Sequence, residues 1–184
     1  VTILDELEPI ITATPSFELC ADKSITLGIS GGVFSTRTWS GTAAAYLNST
    51  SVASPTFSGA DAGTYTIELL VTDANGCEGT ASKTIEVYAL PTAILTATPS
   101  EICSGGSSPI SAVVTPSATG GTGTWTGATK NTETTATFSG TSTTTISYSF
   151  TNAHGCAMAS PATTSVTVHP IPAAPTVADL QYCK

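Results

Sequence analysis

Apolar and polar residues alternate in short runs along the chain. Tyr65, Ile67, Leu69 and Val71 face one way, and Thr64, Thr66, Glu68 and Leu70 the other. A period of two over eight residues predicts a half-buried strand. Asp73-Ala74-Asn75-Gly76 then supplies a turn, and Ser82 to Tyr88 reads as the returning strand. Ile25, Leu27 and Ile29 alternate on an earlier strand, and Trp39 follows on the next, the third. Ile146, Tyr148 and Phe150 show the same alternation far downstream. About seven such runs in roughly 80 residues indicate a β-sandwich. No apolar run reaches the ~18 residues of a membrane-spanning helix, so no membrane insertion is expected.

The chain repeats itself. Thr12-Ala13-Thr14-Pro15-Ser16 recurs as Thr96-Ala97-Thr98-Pro99-Ser100, and Cys20 matches Cys103. Thr38-Trp39-Ser40-Gly41 matches Thr124-Trp125-Thr126-Gly127, and Thr56-Phe57-Ser58-Gly59 matches Thr137-Phe138-Ser139-Gly140. Gly76-Cys77 matches Gly155-Cys156, and Leu90-Pro91 matches Ile171-Pro172. The matches keep their order at offsets of 79 to 86 residues, and length changes of that size are what surface loops tolerate. Asp179-Leu180-Gln181-Tyr182-Cys183 reads as the start of a third copy, and Val1-Thr2-Ile3 as the closing strand of an earlier one. The expected organisation is the end of a repeat plus linker over 1–8, whole repeats over 9–90 and 91–171, and the start of another over 172–184. No basic-plus-apolar leader is visible, and the chain reads as a cut length of a longer tandem array.

The order of signals supports an immunoglobulin-like topology. The sixth strand is entered through Asp61-Ala62-Gly63-Thr64-Tyr65, a corner in which a Tyr hydroxyl ties the loop to its own backbone. Antibody domains carry their core Cys two residues after that Tyr; Ile67 stands there, so apolar packing joins the sheets. Thr143-Thr144-Thr145 replaces the corner in the second repeat. Trp39, Trp125, Tyr65 and Ile67 are assigned to the structural core.

Composition sharpens this picture. In 184 residues there are 36 Thr and 22 Ser, while charged residues are only 10%, against about 25% in an average domain. Thr favours strands, and the 16 Gly and 11 Pro punctuate turns. The apolar share of 40% is too high for a disordered chain. A net charge of −8 with five cations repels phosphate backbones, which excludes nucleic acid as an expected partner.

At the residue level a family resemblance emerges. Gly63-Thr64-Tyr65-Thr66-Ile67 leading to Val71-Thr72-Asp73-Ala74-Asn75-Gly76-Cys77 resembles the end of a PKD-type domain. An early Pro-Ser-x-x-x-Cys paired with a late Asn-Gly-Cys resembles the repeats of giant cell-surface adhesins of Bacteroidota, of the gliding-motility type. The resemblance implies an extracellular, cell-surface protein exported by the type IX route, with repeats forming a stalk or filament.

Five cysteines in a small β chain of this kind favour disulfides. Pairing Cys20 with Cys77 and Cys103 with Cys156 would keep each bridge inside one repeat. Cys20 lies about seven residues before mid-strand Leu27, and Cys77 ten residues after mid-strand Ile67. The two strands run the same way, so at ~3.3 Å per residue these offsets lead to opposite ends of a domain. A bridge needs Cα atoms within about 7 Å. The alternative places Cys20 in the loop before the second strand and joins it to Cys156 of the next repeat. Cys77, Cys103 and Cys183 would then pair with neighbouring repeats outside this chain. Intradomain pairing and free thiols stand as the other two arrangements.

Other chemistry is thin. Gly28-Ile29-Ser30-Gly31-Gly32 matches a nucleophile-elbow pattern, but a β-turn between strands is its expected context and the only later His residues, His154 and His169, belong to the second repeat. His154 and His169 have no partner at metal spacing. Gly120-Gly121-Thr122-Gly123 lacks a P-loop Lys and reads as a hairpin. Asp5, Glu6 and Glu8 could meet Asp73 and Glu78 around Ca²⁺, but the second junction, Ala89-Leu90-Pro91 with Asn152-Ala153-His154, has no carboxylate. Asn48-Ser49-Thr50 is a sequon read as a polar loop. No catalytic, metal or cofactor residue is assigned. The expected role is a non-catalytic stalk repeat of an adhesin, with neighbouring repeats as partners and surface polysaccharide as a further candidate. The alternative is a carbohydrate-binding β-sandwich module.

Overall fold

The computed structural model describes residues 7–175. The sequence expectations on Val1-Thr2-Ile3, Asp5, Glu6 and the stretch from Asp179 to Cys183 lie outside the described residues. The described chain is all-β apart from one short 3-10 turn, Thr42–Tyr46, and falls into two compact units. The first joins residues 7–91 with Thr151–Ala159; the second joins Thr92–Phe150 with 160–175.

In the first unit, β1 (Ile10–Thr14), β3 (Ser24–Ser30) and β5 (Thr56–Ser58) form an antiparallel sheet in the order β1-β3-β5. The facing sheet is built from β2 (Glu18–Cys20), β4 (Thr36–Ser40), β6 (Gly63–Thr72) and β7 (Glu78–Tyr88), in the order β2-β7-β6-β4. Strand alternation explains the core. Ile67, Leu69 and Val71 of β6 are buried while Thr64, Thr66, Glu68 and Leu70 are exposed. They meet Ile11, Ile25, Leu27 and Phe57 from the other sheet, with Trp39, Ile85 and Val87 beside them. Trp39 pairs in register with Leu69.

The second unit repeats the plan. β8 (Thr92–Ala97), β10 (Ser107–Thr115), β12 (Thr129–Lys130) and β13 (Thr135–Ser139) lie in the order β12-β13-β10-β8. β9 (Glu101–Cys103), β11 (Thr122–Thr126), β14 (Thr144–Thr151) and β15 (Ala162–His169) lie in the order β11-β14-β15-β9. Ile110, Phe138, Trp125, Ile146, Tyr148, Phe150 and Val166 are buried. The molecule is therefore an all-β chain with two tandem immunoglobulin-like sandwiches.

Three local expectations are corrected. Cys20 is not in a loop but ends β2, a three-residue strand parallel to β7. That extra strand makes Trp39 part of the fourth strand rather than the third. Gly120-Gly121-Thr122-Gly123 is not a hairpin, because β10 and β11 belong to different sheets. The Gly-rich link crosses the sandwich, with Gly121 N–H donating to the Ala118 carbonyl at 3.2 Å.

Candidate functional site

A set of specific contacts gathers around Cys20. β2 lies beside the end of β7, with Glu18, Leu19 and Cys20 opposite Glu86, Val87 and Tyr88. Ala21 N–H donates to the Tyr88 carbonyl at 3.0 Å, which fixes the strand's exit. The turn between β14 and β15 packs on this end as part of the first compact unit.

That turn is held by one side chain. Asn152 Oδ1 accepts the N–H groups of His154 and Cys156 at 3.0 and 2.9 Å. Its backbone N–H donates to the Cys156 carbonyl at 2.9 Å. Gly155 takes φ +79°, a conformation that favours glycine. The result presents Cys156 to Cys20, and their sulfurs form a disulfide with Cα atoms 5.5 Å apart. Around the bridge, the Tyr88 ring stacks on His154 with centroids 3.6 Å apart. Asn152 Nδ2 donates to the Ala89 carbonyl at 3.4 Å, and Tyr88 Oη to Glu18 Oε2 at 3.2 Å. Cys156 is buried at 1% exposure.

Among the described residues Cys77 and Cys103 carry no disulfide; Cys77 is half-buried and Cys103 exposed. Cys183 lies outside the described residues. Cys77 closes a turn built like that of Cys156: Asp73 Oδ1 accepts from Asn75 N–H at 2.8 Å and Cys77 N–H at 2.9 Å. These donors, the Cys77 N–H first, hold the Asp73 carboxyl below its ordinary value.

Trp39 is 2% exposed and its Nε1 donates to the Val52 carbonyl at 2.8 Å. Trp125 is 9% exposed, and its Nε1 has no partner among the described residues. Ile67 is fully buried. Tyr65, assigned to the core from sequence, is only half-buried, because its hydroxyl reaches out to the Asp61 carbonyl at 2.9 Å. Its ring packs edge-on against Tyr46 and Phe57. Burial first, then the Tyr46 hydrogen bond, raise its hydroxyl above the usual phenol value.

Other sequence candidates are scattered. Ser30 ends β3, which leads by way of Gly31-Gly32 to another strand and not to a helix. His169 pairs with Glu101, Nε2 to Oε2 3.0 Å, while His154 sits in the Cys156 turn. Among the described residues no group of three His, Cys, Asp or Glu side chains is placed to hold a metal ion. Asn48 uses its side-chain oxygen to accept from Thr56 N–H at 2.8 Å. Sequence reasoning set Asn152 and His154 beside Ala89 without giving them a role, and missed Glu18 and Tyr88. The signal was the second match flanking each cysteine, Glu18-x-Cys20 with Glu101-x-Cys103 and Asp73 with Asn152, four residues before Gly-Cys ends.

No protein-family model matches the chain, and no curated protein matches it. Among solved structures, the C-terminal 282-residue fragment of intimin, in complex with the intimin-binding domain of the translocated intimin receptor, is similar with a TM-score of 0.56 at 16% identity. The match covers 86% of this chain and 62% of that one. Murine CEACAM1b is similar with a TM-score of 0.41 at 13% identity, covering 89% of this chain and 100% of that one. The insect immune protein hemolin gives 0.43 at 16% identity, covering 89% and 47%. The intimin fragment supports the same immunoglobulin-like sandwich fold.

Proposed function

We propose that this chain is a non-catalytic stalk segment of a large secreted bacterial adhesin. Its repeats follow the units 1–8, 9–90, 91–171 and 172–184, and it sets the distance between a cell envelope and a distal adhesive tip. The observation that carries the reading is the Cys20–Cys156 bridge, which joins residues 136 apart, in different repeats of the sequence. A bond between repeats ties the two together, with its Cys156 end buried. It adds a second covalent route beside the short Pro-stiffened linker Tyr88-Ala89-Leu90-Pro91-Thr92. A disulfide also favours an oxidising, extracellular setting. The family resemblance adds Bacteroidota, PKD-like repeats, type IX export and gliding motility to the proposal. The buried indoles of Trp39 and Trp125 count against the carbohydrate-binding alternative, which needs aromatic faces open to a sugar.

Single-molecule stretching tests the reading. With the bridge closed, pulling on the chain ends should leave the 136 residues between Cys20 and Cys156 unextended. A reductant should release roughly 450–490 Å of additional contour at ~3.3–3.6 Å per residue. Glycan arrays should stay blank with the same protein. Full extension of the unreduced chain, or saturable glycan binding, would overturn the proposal.

A further inference from the structure

We infer that Cys103 and Cys77 are the two complementary halves of a second bridge of the Cys20–Cys156 kind, and that their partner is another repeat of this same type. The inference deepens the stalk reading, which gives the bridge its use. Its chemistry stands on a comparison between the two repeats.

The β2 and β9 ends are counterparts. Glu18-Leu19-Cys20 and Glu101-Ile102-Cys103 are both three-residue strands parallel to the last strand of their sandwich. Cys20 lies opposite Tyr88, and Cys103 opposite His169. In each, the Glu carboxylate meets the opposing ring: Glu18 with the Tyr88 hydroxyl at 3.2 Å, Glu101 with His169 Nε2 at 3.0 Å.

The two turns are counterparts as well. Asp73 and Asn152 each accept from the N–H groups two and four residues on. Each donates its own N–H to the carbonyl of its Cys, at 3.0 and 2.9 Å. Gly76 and Gly155 take φ +84° and +79°. One strand end of this kind and one turn of this kind are already bonded to each other in the molecule. Among the described residues there is one more of each, with Cys103 exposed and Cys77 half-buried, where the bonded Cys156 is buried. The complement of Cys103 is therefore a turn of the Cys77 kind, not a second Cys103.

Bond formation needs an oxidant, and a low-molecular-weight disulfide such as oxidised glutathione suffices. The Cys103 thiolate attacks it and expels one glutathione thiolate. The Cys77 thiolate of a second molecule then attacks the Cys103 sulfur and expels the other. Two protein thiols are oxidised, and one glutathione disulfide is reduced to two thiols. Because the joined surfaces differ, the contact is head-to-tail and leaves one free half at each end for a further copy. It would also set a load path. Between the two bridges of an array the covalent route is Cys77 to Cys103, 103 − 77 = 26 residues through β7, the linker, β8 and β9. Strands β10 to β14 would lie off that route.

The test uses the full chain carrying Cys183→Ser, with peptide mapping first to verify the Cys20–Cys156 link. Two further variants add Cys77→Ser or Cys103→Ser, so that each has a single free thiol. Under oxidised glutathione, the mixture of the two should give the Cys103–Cys77 heterodimer about tenfold or more over either homodimer. The parent with both thiols should give a ladder of oligomers joined by that same link. Homodimers near the ~1:2:1 proportions of random pairing would overturn the inference. So would the lack of any intermolecular link while both thiols react with a maleimide. Either failure leaves the stretching and glycan results on the stalk reading untouched.

Discussion

The Tyr88 ring lies on the His154 ring, with centroids 3.6 Å apart and planes 17° from parallel. Aromatic stacking of this kind stabilises by an amount comparable to a modest hydrogen bond. Here it sits beside the bridge, since Tyr88 is the register partner of Cys20 and His154 lies two residues before Cys156. His154→Ala should therefore leave both sandwiches folded and make the Cys20–Cys156 bond easier to reduce. A roughly 2- to 10-fold shift in its exchange equilibrium with glutathione is expected. An unchanged equilibrium would mean that the stack does not depend on the closed bridge.

The two tryptophans are sequence counterparts with different polar fates. Trp39 Nε1 donates to Val52, whereas Trp125 Nε1 is buried without a partner among the described residues. An unsatisfied buried donor costs about 1–3 kcal/mol, and a made hydrogen bond contributes about 1 kcal/mol. Both Trp→Phe variants lose ring volume, but only Trp125→Phe also removes an unpaired N–H. Trp39→Phe should be the more destabilising by about 1–2 kcal/mol, read from urea unfolding of the two variants side by side. Equal losses would show that volume alone decides.

What was legible in the sequence follows from how far apart the determining residues lie. β6 could be read because burying one face forces Ile67, Leu69 and Val71 into alternation with polar neighbours within ten residues. The repeat could be read because the same demands recur some 80 residues on. β2 and β9 could not. Each is three residues long with a single buried apolar side chain, Leu19 or Ile102, too short for any period to show. Their pairing is with Tyr88 and His169, about 66 to 68 residues later, which no local pattern encodes. The half-burial of Tyr65 was missed for a related reason. A corner tyrosine must carry its hydroxyl to the loop backbone, so part of it stays at the surface. The disulfide alternatives could be ranked from strand direction, but the Asn152 turn that presents Cys156 is a side-chain device with no periodic signature.

Glu133 should make the second unit acid-sensitive. Its carboxylate takes Lys130 Nζ at 2.7 and 2.8 Å and Gly123 N–H at 2.6 Å. The Lys130 hydrogen bond first, then the Gly123 N–H, hold it below its ordinary 4.5. A carboxyl depressed in the folded state adds stability above its unfolded value, and this is lost as pH falls through the folded one. Glu133→Gln should lower the urea midpoint of this unit near pH 7, and the gap from the parent should close as pH falls below about 4.5. The ammonium and carboxylate are both solvent-exposed, so added salt should narrow the same gap. A gap that persists undiminished at pH 3 would assign the effect to packing.

The second sandwich has no Asp-x-Gly-x-Tyr corner, yet a tyrosine hydroxyl still anchors it. Tyr148 Oη donates to the Glu133 carbonyl at 2.9 Å, and the Tyr148 ring tilts against Trp125 with centroids 4.5 Å apart. Gly123 makes room for both partners: a Cβ there would strike the Glu133 carbonyl oxygen and lie 2.8 Å from the Tyr148 ring and hydroxyl. In the first sandwich the tie is Tyr65 to Asp61, at the surface. Removing a hydroxyl from a fully buried ring forfeits a bond that water replaces poorly, whereas water reaches the Tyr65 site directly. Tyr148→Phe should therefore cost about 1–2 kcal/mol and Tyr65→Phe less. Gly123→Ala should cost about 1–3 kcal/mol by overpacking the same spot. Because the new methyl would strike the Glu133 carbonyl and the Tyr148 ring as well as the hydroxyl, Gly123→Ala should stay destabilising in a Tyr148→Phe background. A Gly123→Ala change that costs nothing in the Tyr148→Phe background would assign the whole clash to the hydroxyl.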